Sequence, residues 1–260
     1  MSTLTQTPLS KDDICWLIQG HTKYYLEVCE HFRDVDNVFW CLEDDSDPEH
    51  IKHIADSGLS VITVSRVPPG YGRINIHAHS SKQGLQVVKN LNFKFCIKLR
   101  SDLVFSDANK FLDIIKDDGK IHGHCYVKHG GRFIDNPIAT AGTYNWLSKF
   151  ENIVNLCDQN YITDWIHYGP VDELLLFYGE VFLDEIDSPV ICEVRFMTSY
   201  LINKGLNIDF TYEYLTEVMP LFMMDLYAAN INMLSLKEGM NYSNMWSSEE
   251  PKGLPNNFLG

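Results

Sequence analysis

Four residues close one short alternating run: Lys98, Arg100, Ser101 and Asp102 follow or interleave with Phe93, Phe95, Ile97 and Leu99. The period-two pattern predicts a strand that ends at Ser101, with Asp102 just past its carboxyl end. Side chains two apart share a strand face, so Lys98, Arg100 and Asp102 point the same way. A lysine and an arginine beside an aspartate, at the carboxyl edge of a sheet, suit phosphate oxygens and a cation. A strand whose solvated face is simply charged has the same letters, and this segment alone leaves both readings open.

Other constellations are weaker. His122, His124, Cys125 and His129 carry zinc-ligand chemistry, but on a strand His122 and His124 share one face while Cys125 takes the other. Strand histidines lining a cleft are the favoured reading of that pattern, and a zinc-dependent hydrolase stays as a third functional reading. The phosphate-binding G-x-x-x-x-G-K-[ST] loop does not occur, nor does a G-x-S-x-G nucleophile elbow. Gly70 and Gly72 begin a dinucleotide-like spacing that lacks its third glycine and follows two prolines.

The elements that must hold these residues alternate. Ile14–Ile18 reads as a buried strand running into Gln19-Gly20, and Thr22 caps a helix that buries Tyr25, Val28, Cys29 and Phe32. Val38, Phe39 and Trp40 form a second strand before Glu43-Asp44-Asp45. Asp47-Pro48 starts a helix that Gly58 ends, and Leu59–Ser65 is a third strand. A Pro-Pro-Gly loop with Arg73 and Asn75 leads to a helix from about Ser80, then to the charged strand. Ser106 caps the next helix, and Ile121–Val127 is a further strand.

Strands separated by helices imply parallel pairing with helices on both faces, and ligands in such sheets sit outside the carboxyl ends of the strands. Gln19-Gly20, Glu43–Asp45, the Arg66–Arg73 loop and Arg100–Asp102 all fall at that edge. From about Asn136 the pattern turns mainly helical, with helices expected at Thr143–Cys157, after Gly169-Pro170 and from Ser188-Pro189. The expectation is one α/β domain over residues 1–260. Its halves are 12–128 and 129–234, and residues 235–260 form a polar tail.

Composition narrows the function classes. Acidic residues outnumber basic ones by 35 to 21, for a net charge of -14. Such a surface repels nucleic-acid backbones but leaves room for a nucleotide in one local pocket. Seven scattered cysteines without a C-x-x-C pair read as free thiols in a reducing compartment. No apolar run approaches the ~20 residues of a membrane helix, and the first ten residues are polar. The expected location is cytoplasmic, the host cytoplasm for a viral protein, with no membrane span and no nucleic-acid partner.

The run Ile97–Phe105, with Lys98, Arg100, Ser101, Asp102 and Phe105, resembles the K-x-R-[ST]-D-x-x-[FI] signature of WavE-type lipopolysaccharide-synthesis proteins. It is also similar to chlorella-virus glycosyltransferases that act on capsid protein. Asn75, His77, Ser81, Gly84 and Leu85 resemble that family's N-x-Q-x-x-x-T-x-x-G-L, with His77 in place of glutamine. Ile18-Gln19-Gly20, Phe133–Asn136 and Pro170–Leu175 resemble its first turn and its later acidic motifs.

The resemblance, over about Ile14–Tyr178, implies a GT-A-like, mostly parallel sheet flanked by helices, with a mainly helical C-terminal part. It implies a metal-dependent, inverting glycosyltransferase. The partners would be a UDP- or GDP-sugar donor and a glycan or glycoprotein acceptor. Asp102 would hold Mn²⁺ or Mg²⁺, since only the second acid of the usual D-x-D pair is present. Arg100 and Lys98 would contact phosphate, or Arg100 would hold Asp102 in place. Glu173, or Asp172, would be the base for the acceptor hydroxyl, although acids there also suit a helix N-terminus. Gln19 and Gly20 would lie by the nucleoside, with Arg73, Asn75, His77, Ser101 and Asp135 as further donor contacts. Loss of half the D-x-D pair keeps a non-catalytic nucleotide-sugar or glycan-binding module as the alternative.

Overall fold

The computed structural model describes residues 9–68, 74–113, 115, 119–127, 160–179, 196, 200, 203–204 and 233–236. The described elements are β1 (Ile14–Gln19), α1 (Tyr25–His31), β2 (Val38–Glu43), α2 (Pro48–Asp56), β3 (Ser60–Val64) and α3 (Ile74–Asn90). They continue with β4 (Phe95–Arg100), β5 (Leu103–Phe105), α4 (Ala108–Leu112), β6 (His122–Val127), β7 (Asn160–Pro170), α5 (Val171–Gly179) and β8 (Met233–Ser235). Six strands form one mixed sheet in the order β3-β2-β1-β4-β7-β6, and β5 pairs with β8 in a small second sheet. The α/β class expected from the sequence is present.

β1 pairs in parallel with both β2 and β4, and β2 in parallel with β3. The chain thus builds outward from β1 to β3, then returns through α3 to add β4 on the other side of β1. Such a reversal opens a crevice at the carboxyl ends of the two central strands, here Gln19 and Arg100, which stand in register.

The β4 alternation divides two layers. Phe95, Ile97 and Leu99 join Trp16, Ile18, Trp40, Phe32, Phe105 and Phe111 in the main core. Trp16 packs against Phe32, Phe105 and Phe111 with ring centroids 5.2, 5.8 and 5.6 Å apart. Such pairs contribute about 0.5–1.5 kcal/mol each beyond area burial. On the opposite face, α3 closes on β1 at Gly84, where an added Cβ would come 2.8 Å from Leu17 Cδ1.

Lys98, on that second face, is 0% exposed. The charged side of β4 is therefore a buried layer, and the solvated-face reading is overturned. The ammonium is satisfied inside: Nζ donates to the Asp164 carbonyl at 2.8 Å and lies 5.6 Å from the centre of the Tyr178 ring.

Local expectations hold where one cap dominates. Asp47 accepts from the Glu49 N–H at 2.8 Å with Pro48 in the first turn, and Gly58 takes φ +91° at the far end of α2. Three starts differ. Thr22 spends its hydroxyl on His50 Nδ1, 2.8 Å away, so α1 begins at Tyr25 without a side-chain cap. Asp107, not Ser106, caps α4 by accepting from the Lys110 N–H. α3 begins at Ile74, six residues before Ser80, because its first turn buries Asn75 and Ala78 instead of a long apolar stripe.

The larger correction is β7. Within the region expected to be mainly helical, Asn160–Pro170 forms an eleven-residue strand, antiparallel to both β4 and β6. The sheet is therefore mixed, with its parallel pairs confined to β1–β4. The helix expected after Pro170 is present as α5, while 128–159 and 205–232 fall outside the described residues. Phe196, Tyr200 and Asn203, in the stretch after Ser188-Pro189, are helical. Among the described residues no helix is long and apolar enough to cross a membrane.

Candidate functional site

Arg100 leaves the end of β4 and meets two carboxylates. Its Nε and Nη2 donate to the two oxygens of Asp102 at 2.9 and 2.6 Å, and Nη1 donates to Asp164 Oδ1 at 2.9 Å. Asp102 and Asp164 are each 3% exposed. Asp102 is fixed again through its backbone, whose carbonyl accepts from the Leu236 N–H beside β8. Paired forks of this kind are the strongest carboxylate contacts a protein makes. Of the two roles open to Arg100, holding Asp102 is the one these bonds perform.

Asp164 was not legible as a site residue. It stands on β7, which runs back along β4 with Leu99 opposite Ile166, so Asp164 arrives beside the Arg100–Asp102 turn. Its carbonyl takes Lys98, one carboxylate oxygen takes Arg100, and the other lies 3.8 Å from His77 Nδ1. Lys98, Arg100 and His77 thus converge on a residue that no motif flagged. A run of isolated polar letters in an aromatic segment was the only trace.

Burial alone would raise the Asp164 carboxyl, but Arg100, His77 and Lys98 outweigh it and hold the group ionised. Burial disfavours a charged Arg100, yet Asp164 and Asp102 hold its proton more firmly than usual. His77 is pushed down to about 4, first by burial, with Lys98 and Arg100 adding to the effect and Asp164 opposing it. At neutral pH the imidazole is uncharged, and Lys98, Arg100, Asp102 and Asp164 sum to zero.

Gln19 and Gly20 are at the same edge. Gln19 is buried and its Oε1 lies 3.2 Å from His77 Nδ1. Gly20 has φ +131°, and a Cβ there would come 2.6 Å from Ser101 Oγ. The close approach of Ser101 and the positive φ together require a glycine there. Ser101, 3% exposed, also donates its backbone N–H to the Gln19 carbonyl. Asn75 is buried in the first turn of α3. Arg73 and Asp135 lie outside the described residues.

Asp172 and Glu173 are placed elsewhere. β7 runs antiparallel to β4, so Pro170 stands opposite Phe95 and Val171 donates its N–H to the Lys94 carbonyl. α5 therefore begins at the amino edge of the sheet, the length of β4 away from Arg100, about 17 Å at strand rise. Asp172 is 74% exposed and pairs with Lys89. Glu173 accepts from Tyr200 at 2.6 Å and from Lys204 at 2.9 Å. Neither carboxylate therefore stands beside Asp102.

A resident cation does not fit the acids as they stand. Mn²⁺ or Mg²⁺ takes about six oxygen ligands, and both Asp102 oxygens already accept from Arg100, whose charge would oppose the ion. Among the described residues no three His, Cys, Asp or Glu side chains are grouped to hold a metal. Of the zinc candidates, His122 stacks on Tyr168 at 4.7 Å. The β6–β7 register also shifts between Gly123 and Cys125, which breaks the simple alternation expected there. His129 lies outside the described residues. The sequence matches no protein-family model and no curated protein.

Proposed function

We propose that the chain is a glycosyltransferase of GT-A-like design, moving a sugar from a UDP- or GDP-sugar to a hydroxyl of a glycan or glycoprotein in the cytoplasm. The observation that carries this reading is the buried Asp102–Arg100–Asp164 array at the crevice between the carboxyl ends of β1 and β4. Nucleotides bind α/β sheets at such reversals. Of five guanidinium N–H groups, Arg100 uses three in these bonds, and among the described residues the other two have no acceptor and suit phosphate oxygens. The seventeen-residue helix α3 starts at the same edge and turns its positive end toward it. A divalent ion, in this reading, enters with the diphosphate as part of the substrate.

The test is calorimetry with UDP and GDP, with and without Mn²⁺, followed by a nucleotide-sugar panel assayed for hydrolysis and transfer. Binding of one nucleotide, turnover of its sugar and loss of both in Asp102→Asn support the reading. Absence of nucleotide binding and of turnover with every donor sinks it. The non-catalytic module is the second reading, favoured by the charge balance of the array and by the remoteness of Glu173. Tight nucleotide binding without turnover would select it.

A further inference from the structure

Two oxygens face the same nitrogen of His77. Gln19 Oε1 lies 3.2 Å and Asp164 Oδ2 3.8 Å from Nδ1. A carboxylate only accepts, so this pair selects the tautomer with hydrogen on Nδ1 and leaves a lone pair on Nε2. Among the described residues Nε2 makes no hydrogen bond, and the side chain is one-fifth exposed at the crevice. Asp164 is held in this orientation by Arg100 on its other oxygen. A carboxylate behind an imidazole whose far nitrogen is open is the geometry of a proton-accepting histidine, and Asp164 offsets part of the cost that burial, Lys98 and Arg100 place on the resulting cation.

We infer that His77 Nε2 accepts the proton of the attacking hydroxyl, with Asp164 as the positioning residue behind it. The inference builds on the glycosyl-transfer reading and supplies the base that Asp172 and Glu173 do not. The hydroxyl oxygen bonds to the anomeric carbon of the donor. The bond from that carbon to the diphosphate oxygen breaks, and its electron pair leaves with the diphosphate. The hydroxyl proton moves to Nε2 and is later lost to water. Burial among Lys98 and Arg100, opposed by Asp164 and Asp102, keeps the ring neutral and ready above about pH 4.

The experiment has two arms. ¹⁵N-histidine NMR of the wild-type protein at pH 7 is expected to show His77 protonated on Nδ1 with an acceptor-type Nε2. The opposite tautomer overturns the inference whatever the activity. In steady-state transfer, His77→Gln is expected to lower kcat about 100-fold or more, with nucleotide affinity within threefold of wild type. Asp164→Asn is expected to lower kcat and move the acidic limb of the rate profile to lower pH, because Asp164 raises the basicity of His77. A wild type that transfers sugar while His77→Gln stays within fivefold of it removes the inference and leaves the function standing. A wild type that turns over no donor removes both.

Discussion

Asp164 and Arg100, sixty-four residues apart in sequence, meet at 2.9 Å across two strands that run in opposite directions. The guanidinium is the shared counterion of Asp164 and Asp102, and the three groups form one charged unit under the crevice. Removing its centre takes away the guanidinium that bonds both buried carboxylates, with Lys98 as the remaining nearby cation. Arg100→Met is expected to destabilise the fold by about 3–5 kcal/mol. The triple variant Asp102→Asn, Arg100→Met, Asp164→Asn is expected to be more stable than Arg100→Met alone. Urea unfolding at pH 7 measures both, and a single variant within 0.5 kcal/mol of wild type (about twofold in the folding equilibrium) would show the array to be loosely held.

Gly20 and Ser101 make a second local test. Gly20→Ala combines φ +131° with a Cβ 2.6 Å from Ser101 Oγ, so a loss of about 2 kcal/mol or more is expected. Ser101→Gly in the same chain relieves the clash but not the backbone strain, and only part of the loss should return. Complete recovery in the double variant would mean that the backbone conformation itself costs nothing there.

The buried histidine makes stability depend on acidity with a definite sign. His77 is pushed below its ordinary value of 6.5 to about 4, so between these limits the unfolded chain binds a proton that the folded chain refuses. Stability is unaffected by this group above pH 6.5 and falls as pH drops toward 4, by up to roughly 3 kcal/mol. The groups acting on the ring are Asp164 from β7, Lys98 and Arg100 from β4, and Asp102 beyond it. Asp164 is held ionised in the fold, so its contribution is lost at still lower pH. The denaturation midpoint of wild type should fall relative to that of His77→Gln as pH drops from 7 to 4.5. Parallel pH dependences would contradict the environment described for His77.

The difference between what the sequence foretold and what the fold contains has a physical pattern. The first four strands of the sheet were legible because each is short, apolar and followed by its own turn residues, and parallel neighbours separated by helices leave little choice of order. The Asp47-Pro48 cap was legible for the same local reason. β7 was not: Tyr161, Trp165, His167 and Tyr168 carry no clean alternation, because the strand lies inside the sheet with neighbours on both sides. Its direction is a property of pairing and not of composition. That single strand brings Asp164 to the crevice and carries Asp172 and Glu173 away from it. The candidate site was therefore legible at Gln19, Arg100 and Asp102, and illegible wherever β7 decides.

That separation yields a test which does not depend on finding the donor sugar. Glu173 is tied to Tyr200 and Lys204 at the amino edge, and burial, with the Glu173 carboxylate adding to it, raises the Tyr200 hydroxyl above its ordinary value. Glu173→Gln should cost about 1–2 kcal/mol by weakening a partly buried hydrogen-bonded pair. Asp172→Asn should cost almost nothing, since its bond to Lys89 is exposed. Neither should change UDP or GDP affinity by more than twofold, whereas Asp102→Asn should abolish it. A large loss of nucleotide affinity in Glu173→Gln would require α5 to reach the crevice, against the β4–β7 register that places its start beside Lys94.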